Sequence, residues 1–110
     1  MIVSSGYNIS GPEVEEALAT HPDVVEVGVV AAPHEERGAI VCAFVVLRED
    51  VEGDAGKVKE LQDHVKGRLA PYKYPRAVRF LNAMPRNTSG KLQHFKLRQM
   101  AESEGPEGSE

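Results

Sequence analysis

Pro85-Arg86-Asn87-Thr88-Ser89-Gly90-Lys91 is the stretch whose residue types could do chemistry. It reads as a polar turn ending in a basic side chain. Thr88, Ser89 and Gly90 are poor helix and strand formers, and Gly90 admits backbone angles that a Cβ disfavours. Lys91 carries an ammonium on a four-carbon stem, with three donors and no fixed fork, and can reach several oxygens of a charged substrate. Taken alone, such a residue reads first as an ordinary solvated surface lysine. The stretch is not a Walker phosphate loop, which needs a glycine where Pro85 stands and a Ser or Thr where Leu92 stands.

Other reactive residues form no constellation. His21, His34, His64 and His94 are scattered, and none lies at ligand spacing from another histidine or from Cys42, so no metal site is expected. His34-Glu35-Glu36-Arg37-Gly38 lacks the second histidine of a metalloprotease helix, because Gly38 takes its place. There is no Gly-x-Ser-x-Gly elbow, and Gly6 and Gly11 lack the third glycine of a dinucleotide fingerprint.

The elements that must hold the loop follow from periodicity. Ile2 to Ile9 reads as strand-turn-strand or a loop around Gly6. Ser10 and Glu13 form a capping box that opens a helix with Val14, Ala17 and Leu18 on one face, and Ile9 and Val14 are spaced as a staple. His21-Pro22 ends that helix. Val24–Ala31 and Ala39–Leu47 are apolar and β-branched and should pair as an antiparallel hairpin across a polar turn at Pro33–Gly38. Val58, Leu61, Val65 and Leu69 predict a helix over 57–69, stopped by Pro71. Ala77–Leu81 is a third strand with Val78 and Phe80 on one face, and Phe95–Ala101 is a short basic helix. The expectation is an α+β fold: a small two-layer domain with a three-stranded sheet, a short N-terminal hairpin or loop, and about three helices. Residues 1–101 would form it, and 102–110 would be a disordered acidic tail.

Composition sets outer bounds. The 110 residues allow one domain, with 41% hydrophobic and 27% charged residues, as in ordinary globular domains. No apolar run approaches a membrane span, so no membrane partner is expected. No secretory signal is visible, and the lone Cys42 cannot form an internal disulfide, which fits a cytoplasmic setting. Cys42 lies inside an apolar run and reads as a buried small hydrophobe. The net charge of −4 hides an asymmetry: residues 1–65 carry 4 Lys or Arg and 13 Asp or Glu, whereas residues 66–110 carry 9 and 4. All nine cations lie between Lys66 and Arg98 with no acid among them. They form either a solvated face or a basic surface for a polyanion.

Pro85 to Arg98, together with Ser4 to Glu15, resembles two motifs of the adenylate-forming enzymes: acyl-CoA synthetases, adenylation domains and luciferases. Residues 2–98 resemble their C-terminal domain, a lid that alternates between two poses over a larger N-terminal domain. The wording Gly-Tyr-Asn-Ile, Ala-Pro-Tyr-Lys-Tyr-Pro-Arg and Gly-Lys-Leu-Gln-x-Phe-Lys-Leu-Arg is most similar to benzoate- and aminobenzoate-type or medium-chain acyl-CoA synthetases.

The resemblance implies that the parent enzyme joins a small carboxylic acid to ATP, giving an acyl adenylate, and then transfers the acyl group to coenzyme A. ATP and Mg²⁺ would be bound mainly by the N-terminal domain. Lys91 matches the family's catalytic lysine, presented by Ser89 and Gly90. Ser5, Gly6 and Tyr7 match the loop lining the pantetheine tunnel. Tyr72, Lys73 and Tyr74 match a segment that contacts the nucleotide end of coenzyme A. Lysines in this context are also targets of a lysine acetyltransferase and deacetylase. His34 replaces a usual acid, Ala39 another, Cys42 a lysine and His94 an arginine, and Met1 stands about where the acidic hinge would end. The chain alone is expected to be inactive. Two alternatives stay open: a lid acting with a carrier protein, and a non-catalytic basic binding module on the same fold. The acidic first half and the lack of stacked aromatics speak against nucleic acid for the latter.

Overall fold

A computed structural model describes residues 1–104. Two short strands, β1 (Ile2–Ser4) and β2 (Tyr7–Ile9), form an antiparallel hairpin, so the N-terminal segment is strand-turn-strand. Its two-residue turn is Ser5-Gly6, with φ of 51° and 83°. Positive φ at both positions gives the hairpin turn that matches strand twist, and Gly6 adopts it without steric cost. Helix α1 (Gly11–Ala19) follows, and Ser10 Oγ accepts the Glu13 amide at 3.3 Å. Among the described residues Glu13 makes no return bond to Ser10; its carboxylate instead accepts from Lys73 Nζ at 2.9 Å.

Strands β3 (Val24–His34) and β4 (Gly38–Leu47) pair antiparallel as expected. Pro33 and His34 belong to β3, so the turn is shorter than the composition of 33–38 suggested. Helix α2 (Ala55–Lys66) ends at Gly67, ahead of Pro71, which instead opens a 3₁₀ turn (Pro71–Lys73). Strand β5 (Ala77–Phe80) lies parallel to β4, which places β4 in the centre of the order β3-β4-β5. A parallel neighbour requires a crossover, and α2 supplies it. Helix α3 (His94–Glu104) runs three residues past the expected boundary at 101; the remaining tail, 105–110, lies outside the described residues.

Both sheet faces are buried, which explains why β4 is an apolar run with no alternation. On one face Ile9, Val14, Leu18, Leu61 and Val65 pack against Val41, Ala43, Val45 and Val78. On the other, Leu97, Ala101 and Met84 pack against Cys42, Phe44 and Ala77. Fully burying side chains such as Leu18, Phe44 and Leu97 stabilises by about 1.5–3 kcal/mol each. The fold is α+β, with α1, α2 and the hairpin on one face of the sheet and α3 on the other.

Candidate functional site

The Lys91 loop is a tight built turn between β5 and α3. Its stem is a miniature antiparallel pair: Gln93 N donates to Pro85 O at 3.0 Å, Asn87 N donates to Lys91 O at 3.1 Å, and Arg86 bridges Leu92. Asn87 closes the tip. Its carbonyl accepts the Gly90 amide at 2.9 Å, and its side-chain Oδ1 accepts the amides of Ser89 at 3.0 Å and Lys91 at 2.9 Å. Gly90 sits at φ 84°, as such a reversal demands. Leu92 packs inward against the α3-side core while its neighbour Lys91 is exposed. Among the described residues no hydrogen bond or ion pair engages the Lys91 ammonium. A hydrogen-bonded backbone thus presents an exposed lysine.

Ser5, Gly6 and Tyr7 form a second group with the 3₁₀ turn. The Tyr7 and Tyr72 rings stack with centroids 4.5 Å apart at 27°, so the expected lack of stacked aromatics does not hold: folding brings together two tyrosines that lie far apart in the sequence. Lys73 Nζ stands 5.8 Å from the Tyr72 ring and is paired with Glu13, whose hydrogen bond holds the ammonium above its ordinary pKa. The hairpin tip is tied to the β3–β4 turn, because Ser5 N donates to Arg37 O at 3.0 Å and Arg37 Nε donates to Ser4 Oγ at 3.1 Å. His34, where the resemblance leads one to expect an acid, accepts the Arg37 amide on Nδ1 at 3.2 Å and so braces the same turn. Tyr74 stands apart from this pair. It packs against the α1–α2 core, with Lys66 and Arg76 at 4.3 and 4.9 Å from its ring centroid. Among the described residues no hydrogen bond, ion pair or ring contact joins Lys91 to the tyrosine group.

A family model described as "AMP-binding enzyme C-terminal domain" matches residues 13–91, most of the chain and the whole lysine loop. The chain belongs to this family. An uncharacterized acyl-CoA ligase of Bacillus subtilis is 48% identical over 102 residues, which are 93% of this chain and 19% of that protein. A mitochondrial acyl-coenzyme A synthetase of Homo sapiens is 48% identical over 100 residues, 89% of this chain and 17% of that protein. The crystal structure of a Brucella canis acyl-CoA synthetase superposes with a TM-score of 0.87 at 44% identity, covering 91% of this chain and 18% of that one. The chain therefore spans about a fifth of the length of the proteins it matches.

Several long-range pairings around these groups had no signal in the sequence. Glu13, Glu26 and Arg86 make ion pairs across 60 residues. Glu15 Oε2 accepts the Val29 amide at 2.8 Å and meets His94 Nε2 at 2.6 Å, so the histidine standing for an arginine joins α3 to α1. Asn87 was visible in principle, since an Asx residue often opens a turn by binding amides ahead of it.

Among the described residues one cluster has metal-ligand chemistry: His21, Asp23 and Glu60 offer ligand atoms within 4.8 Å of one another. It does not fit Mg²⁺, because the Lys57 ammonium already bridges the carboxylates, at 2.7 Å from Asp23 Oδ2 and 3.0 Å from Glu60 Oε1. These bonds hold both carboxyls below their ordinary values. Cys42 is buried, and desolvation pushes its thiol up to about 11. No helix among the described residues is long and apolar enough to cross a membrane.

Proposed function

We propose that this domain is the C-terminal lid of an ATP-dependent acyl- or aryl-CoA ligase and that Lys91 serves the adenylation half-reaction. The observation that carries this reading is the exposed Lys91, whose ammonium none of the described residues engages, on a loop pinned by Asn87 within a chain of this family. As a carboxylate oxygen of a small carboxylic acid attacks the α-phosphorus of ATP, negative charge builds on the phosphoryl oxygens and the leaving pyrophosphate. A preplaced cation stabilises that charge without reorganising at the moment of reaction. Mg²⁺ belongs to the N-terminal domain in this reading, since the acidic cluster here is filled by Lys57.

In the second half-reaction the Ser5-Gly6 turn lines the path of the pantetheine thiol, and the Tyr7–Tyr72 stack with Lys73 meets the nucleotide end of coenzyme A. Tyr72 has one face covered by Tyr7, so an adenine stacks on the exposed side of the pair or displaces Tyr7. Lys73 reaches a phosphate only by releasing Glu13. Coenzyme A is favoured over a carrier protein by these paired aromatics beside a lysine. A cytoplasmic setting is the reading supported by the lone thiol of this domain, which has no partner for a disulfide within the chain. A lysine acetyltransferase would switch it off by neutralising Lys91, and a deacetylase would restore it.

The test is Lys91→Ala in the full-length enzyme carrying this domain, with the half-reactions assayed separately. Acyl-adenylate formation is expected to fall about 10²–10³-fold, as for other preorganised charge-stabilising groups. Thioester formation from supplied acyl adenylate should be retained. Equal retention of both returns Lys91 to a surface lysine, and equal loss of both points to folding or docking.

A further inference from the structure

The Lys91 loop has an anchor outside its own segment. Arg86, in the loop's first arm, divides its guanidinium between two acceptors. Nη1 donates to Gly90 O at 2.7 Å, and Nη2 donates to Glu26 Oε1 at 2.6 Å. Glu26 lies on β3, an edge strand, beside the register shift between Val24 and Glu26. A bulge at such a place re-aims side chains, here toward the loop. The Gly90 carbonyl belongs to the peptide unit that ends in the Lys91 nitrogen, so whatever fixes this oxygen fixes the plane from which Lys91 departs. Arg86 alone is a long flexible side chain; with its second arm held by a carboxylate, its fork becomes a rigid strut. Both partners are partly exposed, at 42% and 32%, and such pairs add little to global stability. The pair's consequence is therefore local geometry.

We propose that Glu26 and Arg86 are positioning residues for Lys91: the Glu26–Arg86–Gly90 strut sets where the ammonium stands during adenylation, without touching substrate. This rests on the reading of Lys91 as the adenylation lysine.

Two readouts test it. In this chain, amide hydrogen exchange at Ser89, Gly90 and Lys91 is compared between wild type, Glu26→Ala, Arg86→Met and Arg86→Lys. In the full-length enzyme the same variants enter the two separate half-reactions, alongside Lys91→Ala. The expected result is faster exchange at those three amides only. Adenylation should fall between about tenfold and a hundredfold in kcat, the scale on which a 1 Å misplacement acts. Thioester formation should hold, and melting temperature should stay unchanged. Arg86→Lys should behave like Arg86→Met, because it keeps the charge but loses the fork.

Unaltered exchange and adenylation in Glu26→Ala, with Lys91→Ala inactive, would overturn the strut and leave the lid reading standing. Full activity of Lys91→Ala would overturn both. Equal loss of the two half-reactions in Glu26→Ala, or rescue by Arg86→Lys, would also overturn the strut, by showing a docking or purely electrostatic role.

Discussion

Lys91 depends on its neighbours for position, and the same holds for smaller residues whose contribution is what they lack. Gly28 lies in β3 where α3 crosses. A Cβ built there would come to 2.5 Å from Leu97 Cδ1 and 3.3 Å from Leu92 Cδ2. Leu97 is fully buried and cannot swing into solvent. Gly28→Ala should therefore destabilise the domain by about 1–3 kcal/mol, the usual cost of overpacking, read as a lower urea midpoint at unchanged slope. Because Leu92 adjoins Lys91, the same variant should also loosen the lysine loop. In the sequence Gly28 is simply a glycine inside the β-branched run of β3. Its meaning comes from a helix whose contact lies some 70 residues further along the chain.

At the scale of elements, α2 is joined to the α1–β3 connection by the Lys57 cluster. Asp23 and Glu60 are held below their ordinary carboxyl values, first by hydrogen bonds from Lys57. Lys57 is held above its own, first by Asp23. His64 is lowered, first by burial and then by the nearby charge of His21. The signs follow. Depressed carboxyls stabilise the fold above their ordinary values and lose that contribution as pH falls through the folded values. The raised lysine contributes fully below 10.5 and loses it as pH rises through its folded value. His64, better neutral when folded, adds a loss that begins as pH falls below 6.5. Lys57→Met should flatten the stability profile below pH 4.5 and above pH 10.5 while leaving the His64 step, as checked by urea midpoints across pH. This network escaped the sequence because its members come from two elements and only i,i+3 partners such as Lys57 and Glu60 are visible along one helix.

For the whole molecule, the distribution of charge changes meaning on folding. Nine cations run from Lys66 to Arg98 without an acid between them, yet they do not form one basic face. Arg79 is interior at 6% exposure, Lys73 and Arg86 pair with acids from the first half, and Lys66 and Arg76 flank Tyr74. The polyanion surface allowed by the charge asymmetry is broken up in this way, which weakens the reading as a basic binding module. β4 is the central strand of the sheet, and the buried Cys42 on it can report on the sheet's opening. A thiol with its pKa raised to about 11 carries almost no thiolate at neutral pH. Alkylation of Cys42 by iodoacetamide should therefore track the unfolding curve. Rapid modification in the absence of denaturant would show that the face under α3 opens locally.

By itself, the sequence carried the order and type of the main elements from α1 onward, the hairpin of β3 with β4, the burial of Cys42 and the polar turn before Lys91. It left the N-terminal segment open between hairpin and loop and did not mark the 3₁₀ turn at Pro71. What it carried follows from periodicity, capping and turn chemistry, which act over a few residues. Only the tertiary structure decided that β5 runs parallel beside β4, that Glu13 answers Lys73 instead of its own helix end, that Tyr7 meets Tyr72, and that Glu26 braces Arg86. Each of these joins side chains or strands far apart in the chain, and their meeting is fixed by how the two sheet faces are covered. No local pattern records that geometry.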